Sequence, residues 1–181
     1  MLRFRTALVA AGVATASAVA TPAHAGGCAG AAVMPTRTNA AQMNQATLCL
    51  LNGQRRAHGV QPLSTEPRLD RAATEYAHEM ASRNFFSHTS PSGSTPESRI
   101  RATSYLRGAR SWQIGENLAW GTGPRATPRL IVSAWMHSPG HRRNILDPRF
   151  RDIGIGIALG APVDAGASLP GATYATDFGA R

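Results

Sequence analysis

Three short segments of the chain contain the side chains best suited to chemistry. They are Phe86–Pro91 (FSHTSP), Gly115–Gly121 (GENLAWG) and Trp135–Leu146 (WMHSPGHRRNIL). Each joins a histidine or a glutamate to glycine or serine, a composition typical of loops that display functional groups on a scaffold. A lone histidine near a helix end is more often a hydrogen-bonded structural residue than a ligand. The combination of the three segments is therefore the informative feature.

Two familiar catalytic patterns are missing from these segments. Ser90 and Ser138 lie near histidines, which suggests a serine hydrolase, but the chain has no GxSxG nucleophile elbow. It also has no HExxH helix of the kind found in zinc proteases. The candidate groups lie far apart in sequence, so only the fold can bring them together.

Four helices are predicted around these segments. Apolar residues at helical spacing between Met43 and Leu51 predict a first helix that ends near His58, and a second runs from a cap at Ser64 or Thr65 to about Asn84. Threonine followed by proline predicts two further helix starts, at Thr95–Pro96 and at Thr127–Pro128. The fourth helix must stop before Pro139 and Gly140.

The end of the chain has a different period. Apolar residues alternate with small ones from Ile153 to Leu159 and again from Tyr174 to Phe178, which predicts two strands. Helices come first and antiparallel strands last, so the fold class is α+β. With 181 residues the chain can build one ordinary core but is short for two independent domains.

The first 25 residues are predicted to be a secretory signal peptide. Two arginines precede an apolar run too short to span a bilayer comfortably, and an AxA pattern places cleavage after Ala25. Residues 26–41 are then a linker and residues 42–181 the domain. We expect the protein to be secreted, with no transmembrane segment after the signal peptide.

Export determines how the two cysteines are interpreted. Outside the cytoplasm Cys28 and Cys49 have the opportunity to form one disulfide bond. The alternative is a lipoprotein acylated on Cys28, but the leucine usual three residues before such a cysteine is absent, and Cys49 would be left as an odd thiol.

The chain is strongly basic. It has 19 arginines and no lysine, with a formal net charge of +9. The arginines are scattered and no aromatic residues interleave them, which argues against nucleic-acid binding. Anionic cell-wall polymers or lipid surfaces remain possible partners.

In their order and in their residues, these motifs resemble those of the CAP superfamily (the SCP or PR-1-like domain), in particular its small bacterial secreted members. The match runs from Leu50 to Gly179 and includes LLNGQRRAHGV, HTSP, GENL, SPGHR, DIGIGI and the final strand. The resemblance implies a three-layer α-β-α sandwich with a small antiparallel sheet and a cleft on one side. Carried over position by position, the family's cleft residues fall on His88, Glu116 and His141, and two imidazoles with a carboxylate suit a divalent metal such as zinc.

The chain departs from the family pattern at two positions. Many eukaryotic members have a second glutamate on the helix before the second histidine, where this chain reads AWMHS from Ala134. Asp177 stands where relatives often have glutamine. With one carboxylate missing, an architectural network in which Glu116 accepts hydrogen bonds from backbone amides and from the histidines stays open as an alternative.

The resemblance predicts a monomeric, secreted binding module for a small ligand, a lipid or a cell-envelope component. A metal-dependent hydrolase, a peptidase or esterase with Glu116 as its base, is the alternative. A third hypothesis is an envelope-associated protein whose basic surface contacts anionic polymers while its cleft is only structural.

Overall fold

The computed structural model describes residues 27–163 and 169–181, so the predicted signal peptide lies outside the described residues. Within these residues the chain forms five α-helices, one short 3-10 helix at Gly123–Ala126 and four strands. The helices are α1 (Ala40–Ala57), α2 (Pro67–Arg83), α3 (Pro96–Ala102), α4 (Pro128–His137) and α5 (Pro139–Leu146). The strands are β1 (Ser64–Thr65), β2 (Gln113–Thr122), β3 (Asp152–Leu159) and β4 (Gly171–Ala180).

The four strands form one sheet in the order β1-β3-β4-β2. The three long strands are antiparallel neighbours, while β1 is parallel to β3 over two residue pairs. The predicted small sheet is therefore present, and its short strand β1 makes it mixed. Because side chains alternate along a strand, β3 presents its isoleucines to one face and Gly154, Gly156 and Ala158 to the other.

Helices α1, α4 and α5 cover the isoleucine face of the sheet. The core on this side is large and apolar, and Trp135 of α4 stands edge-on to Tyr174 of β4 with ring centroids 6.5 Å apart. Its other main members are Met43, Leu51, Ile131, Ile145, Phe150, Ile153, Ile155 and Phe178.

Helices α2 and α3 cover the opposite face. Here the sheet contributes glycine and alanine, and α2 packs so closely that a Cβ on Gly154 would overlap the backbone at Leu69 and Asp70. The apolar side of α2, from Leu69 to Met80, is fully buried against it. Helices on both faces of the sheet confirm the three-layer α-β-α sandwich.

The segment before α1 is fastened to the domain. A disulfide bond joins Cys28 to Cys49 of α1. Ala31 is buried, and its carbonyl accepts a hydrogen bond from the N–H of Arg129 at 2.8 Å. The two cysteines thus have the fate expected of an exported pair.

Two segments differ from the sequence predictions. Gly115–Gly121, expected to be a loop, lies within strand β2, where Ile114, Glu116 and Leu118 alternate with smaller residues. The glycines in this stretch conceal the alternation, and both have close neighbours: a Cβ on Gly115 would press on the Phe150 ring, and one on Gly121 would overlap the backbone of Arg125. Pro139, expected only to terminate α4, also starts α5, since proline is compatible with the first turn of a helix.

Two helix starts also differ in detail. Glu66, rather than Ser64 or Thr65, is the N-cap of α2, and its carboxylate accepts a hydrogen bond from the N–H of Arg68. Thr127 precedes α4 as expected, but its hydroxyl bonds back to the carbonyl of Pro124 instead of capping the helix. At Thr95 the predicted cap is present as a full capping box with Ser98.

Candidate functional site

Glu116 lies on β2, which forms one edge of the sheet, and its side chain is on the face covered by α2 and α3. Only 2% of the side chain is exposed, and both carboxylate oxygens are hydrogen-bonded. Oε1 accepts from Nδ1 of His88 at 2.7 Å, and Oε2 accepts from Nη2 of Arg99 at 2.6 Å. A buried carboxylate with two such partners is fixed in one orientation.

His88 lies in the loop between α2 and α3. The hydroxyl of Tyr76 on α2 donates to the carbonyl of Ser87 at 2.5 Å and so positions this loop. Although Nδ1 is bonded to Glu116, 55% of the His88 side chain is exposed. In the described part of the chain, Nε2 of His88 forms no hydrogen bond, so this nitrogen is available to a ligand from solvent.

Arg99 of α3 completes this cluster, and sequence reasoning did not identify it. Its guanidinium lies 3.2 Å from the ring centroid of Tyr76 and also donates to the carbonyls of His88 and Ser94. Threonine followed by proline at Thr95–Pro96 predicted the helix that carries Arg99, but no spacing or motif indicated that this arginine would turn inward to Glu116. The guanidinium of Arg99, the ring of Tyr76 and the carboxylate of Glu116 together form a rigid support beneath His88.

Two asparagines attach α5 to β2 on the opposite face. Asn117 donates to the carbonyl of His141 at 3.1 Å, and Asn144 donates to the side-chain oxygen of Asn117 at 2.9 Å and to the carbonyl of Glu116 at 3.2 Å. His141 is therefore held next to the edge of β2 at the level of Glu116. Burial, with a smaller contribution from nearby His88, lowers the pKa of His141 and keeps its imidazole neutral at pH 7.

Asp177 of β4 pairs directly with Glu116 in the sheet register, on the same face. It is buried, and within residues 27–163 and 169–181 neither of its carboxyl oxygens has a hydrogen-bond partner. Burial and, next, the charge of Glu116 raise the pKa of Asp177 well above its ordinary value, while Arg99 acts in the opposite direction. Asp177 therefore retains its proton to higher pH than an exposed aspartate, while the carboxylate of Glu116 is paired with Arg99.

This raised pKa predicts a specific pH dependence of stability. The unfolded chain releases the Asp177 proton from about pH 3.8 upward, whereas the folded chain retains it to higher pH. The folded state then binds more protons, so stability falls as pH rises. We expect the Asp177→Asn variant to lack this pH dependence. Its free energy of unfolding should rise relative to that of the wild type by up to about 1.4 kcal/mol for each pH unit above pH 4.

Urea unfolding of the two proteins from pH 4 to pH 9, followed by circular dichroism, measures this difference. Asp70, whose pKa is also raised by burial, is present in both proteins, so its effect cancels in the difference between them. A gap between variant and wild type that is the same at every pH would show that Asp177 is ionised in the folded protein.

The ring nitrogens of the two histidines and the oxygens of Glu116 differ in how well they could bind the predicted metal. His88 presents a free Nε2 and His141 a neutral imidazole, and both suit a divalent metal. Both oxygens of Glu116 are engaged, as is common for a carboxylate that orients a metal-binding histidine from behind. Among residues 27–163 and 169–181, no three His, Cys, Asp or Glu side chains lie together as a metal-binding group. The site on His88, Glu116 and His141 stays a prediction.

An α-β-α sandwich with this arrangement of helices around a small sheet defines a known class of protein domain. The sequence model of the cysteine-rich secretory protein family, CAP, matches residues 48–167. The chain belongs to this family.

Two curated proteins of Bacillus subtilis (strain 168) are similar to the chain. The uncharacterized protein YkwD is 36% identical over 107 residues, which are 59% of this chain and 39% of YkwD. The uncharacterized membrane protein YlbC is 29% identical over 112 residues, 61% of this chain and 30% of YlbC. The chain thus spans well under half the length of both relatives.

Solved structures share the fold. An outer surface protein of Borrelia burgdorferi has a TM-score of 0.56 at 22% identity, covering 73% of this chain and 87% of that one. An extracellular SCP-domain protein of Bacillus anthracis has a TM-score of 0.61 at 24% identity, covering 80% of this chain and 43% of that one. No helix in the described part of the present chain combines the length and apolarity needed to cross a membrane.

Proposed function

We propose that the protein is a secreted binding module that takes up a small ligand, a lipid headgroup or a cell-envelope component in the cleft between His88 and His141. The observation that carries the proposal is the exposed imidazole of His88, held from behind by a buried carboxylate. A binding site gains affinity when its groups are fixed before the ligand arrives. Relatives that are themselves extracellular or outer surface proteins support the location.

A divalent metal is part of this proposal. His88 and His141 would hold it, and Glu116 would orient His88 through Nδ1. A bound zinc ion supplies a Lewis acid that attracts anionic or carbonyl oxygen atoms of a ligand. The neutral state of His141 at pH 7 favours binding, because a protonated imidazole has no lone pair to donate.

Hydrolysis is the second candidate function, and the geometry alters its details. Glu116 is a poor candidate for the base because its oxygens already accept hydrogen bonds from His88 and Arg99. An imidazole held by a carboxylate is instead a common general base, with the acid as its orienting group. In a hydrolase His88 would take a proton from water at Nε2, and Glu116 would be a positioning residue.

Zinc titration by calorimetry tests the metal site. We expect one saturable site in the wild type and in His58→Ala, a matched control at an exposed histidine at the end of α1. Binding is lost in His88→Ala and weakened about 10–100-fold in Glu116→Gln, which loses the orienting charge. Equal zinc affinity in all four proteins would remove His88 from the site.

Ligand binding is tested separately with fatty acid, sterol and peptidoglycan fragments. Saturable binding that His88→Ala weakens and His58→Ala leaves unchanged supports the module. Absence of saturable binding to all three classes contradicts it. Turnover of peptide or ester substrates that depends on His88 would favour the hydrolase instead.

A further inference from the structure

The outer edge of β3 is paired along only part of its length. β1 pairs with Asp152 and Ile153 and then ends. At Ile155, two side chains take the place of a strand: Asp70 accepts from the Ile155 N–H at 2.8 Å, and Asn44 donates to the Ile155 carbonyl at 3.1 Å. Blocking an edge in this way protects a sheet against unwanted pairing.

Beyond Ile155 the edge is open. Backbone N–H and C=O groups alternate between the two sides of a strand, so the next outward positions are Ile157 and Leu159. In residues 27–163 and 169–181, no strand pairs with this edge after Ile153 and no backbone hydrogen bond from it continues past Ile155. Among the described residues, the outward N–H and C=O groups of Ile157 and Leu159 thus have no hydrogen-bond partner.

Ile157 and Leu159 line a groove of about 420 Å³. The groove runs over the edge of β3 between the start of α1 and the exposed side of α2. Its lining residues are Pro35, Thr36, Arg37, Ala40, His78, Ile157 and Leu159. The apolar floor includes Leu159, which is 42% exposed. This groove shares no residue with the cleft at His88 and His141.

The chemistry of the groove selects its occupant. A lipid chain would cover the apolar floor but leave the edge N–H and C=O groups without partners, which is costly. An extended peptide satisfies both, because its backbone pairs with the edge while alternate side chains enter the groove. Arg37 and His78 are exposed on the walls of the groove. In the described residues Arg37 forms no salt bridge, so its positive charge favours an acidic peptide.

We propose that the groove binds an extended acidic peptide by strand addition to β3 at Ile157 and Leu159. Arg37 contacts a carboxylate of the peptide, either a side chain or the C-terminus. This site is independent of the proposed ligand cleft, and it extends the protein's function to recognition of another polypeptide chain.

Fluorescence polarisation with the labelled, end-blocked peptide Val-Glu-Val-Glu-Val tests the proposal on the whole purified chain. We expect saturable binding that Arg37→Glu weakens about tenfold or more. The matched control Arg110→Glu makes the same charge change near the start of β2, on the opposite edge of the sheet, and leaves the affinity unchanged.

A second probe tests the backbone contact without altering the protein. Two versions of the same peptide, each with N-methyl groups on a different set of alternate residues, keep its charges but lose half of its N–H groups. We expect the version methylated on the N–H groups that pair with β3 not to bind. Retained affinity of both N-methylated registers, equal binding of Val-Lys-Val-Lys-Val, or no binding of the acidic peptide would each overturn the proposal. None of these results depends on the His88 cleft.

Discussion

Replacing Gly156 by alanine is expected to lower the free energy of unfolding by about 3 kcal/mol or more. Gly156 lies on β3 where α2 crosses the sheet, and an added Cβ would overlap backbone atoms of Ala73 and Thr74. A flexible side chain can move aside at little cost, but a helix backbone can move only with the whole helix. The substitution therefore lifts α2 from the sheet.

Chemical denaturation of the variant measures this effect. Gly53→Ala is the matched control, because Gly53 lies within α1 and a Cβ there meets nothing within 4 Å. Removing a glycine from a helix interior is expected to stabilise the control by about 0.5–1 kcal/mol. Equal stability of Gly156→Ala and the wild type would mean that α2 and β3 are further apart than described.

The same contact matters for the candidate site. α2 carries Tyr76, whose ring supports Arg99 and whose hydroxyl holds the loop that contains His88. A displaced α2 would move both groups away from Glu116. Any folded fraction of Gly156→Ala is accordingly expected to bind zinc more weakly than the wild type, although the substitution is on a different strand from Glu116.

Arg55→Met is expected to cost about 4 kcal/mol. Arg55 of α1 is completely buried, and its guanidinium donates hydrogen bonds to four backbone carbonyls. The acceptors are Gln61 at 2.6 Å, Ile145 at 2.7 Å, Asp147 at 3.0 Å and Phe150 at 3.1 Å. Methionine approximates the length of the arginine stem but leaves these carbonyls without donors in the protein interior.

The neighbouring residue provides the control for this prediction. Arg56→Met removes the same charge from the same helix, but Arg56 is exposed, so its effect is expected to stay within about 0.5 kcal/mol. Arg55→Lys should recover little of the loss, because an ammonium has three donors and lacks the planar fork that reaches carbonyls on several segments. Thermal and urea unfolding of the three variants compares them directly, and similar stability of Arg55→Met and Arg56→Met would refute the structural role.

Such a role for Arg55 was not apparent from the sequence. Arg55 and Arg56 form one of the adjacent basic pairs in a chain rich in arginine, and nothing local distinguishes them. Burial depends on the end of α5 and the following turn, 90 to 95 residues further along the chain. Glu116 is a similar case, since its partners His88 and Arg99 lie 28 and 17 residues away.

The sequence by itself determined the features that depend on near neighbours. Helical spacing, proline after threonine and alternating residues in β3 and β4 predict the helices and late strands because these signals act within one or two turns or along one strand. The family motifs added the sandwich and the candidate residues His88, Glu116 and His141. In Gly115–Gly121, however, small residues that serve distant packing obscured strand β2.

Tertiary structure alone decided which groups meet. Register between β2 and β4 places Asp177 beside Glu116, and helix packing brings Arg99 to the same carboxylate. The open edge of β3 likewise exists because β1 stops at its second residue while the groove forms between two helices. The partners, burial and pKa of a side chain depend on the positions of several helices and strands at once, and no local sequence pattern encodes those positions.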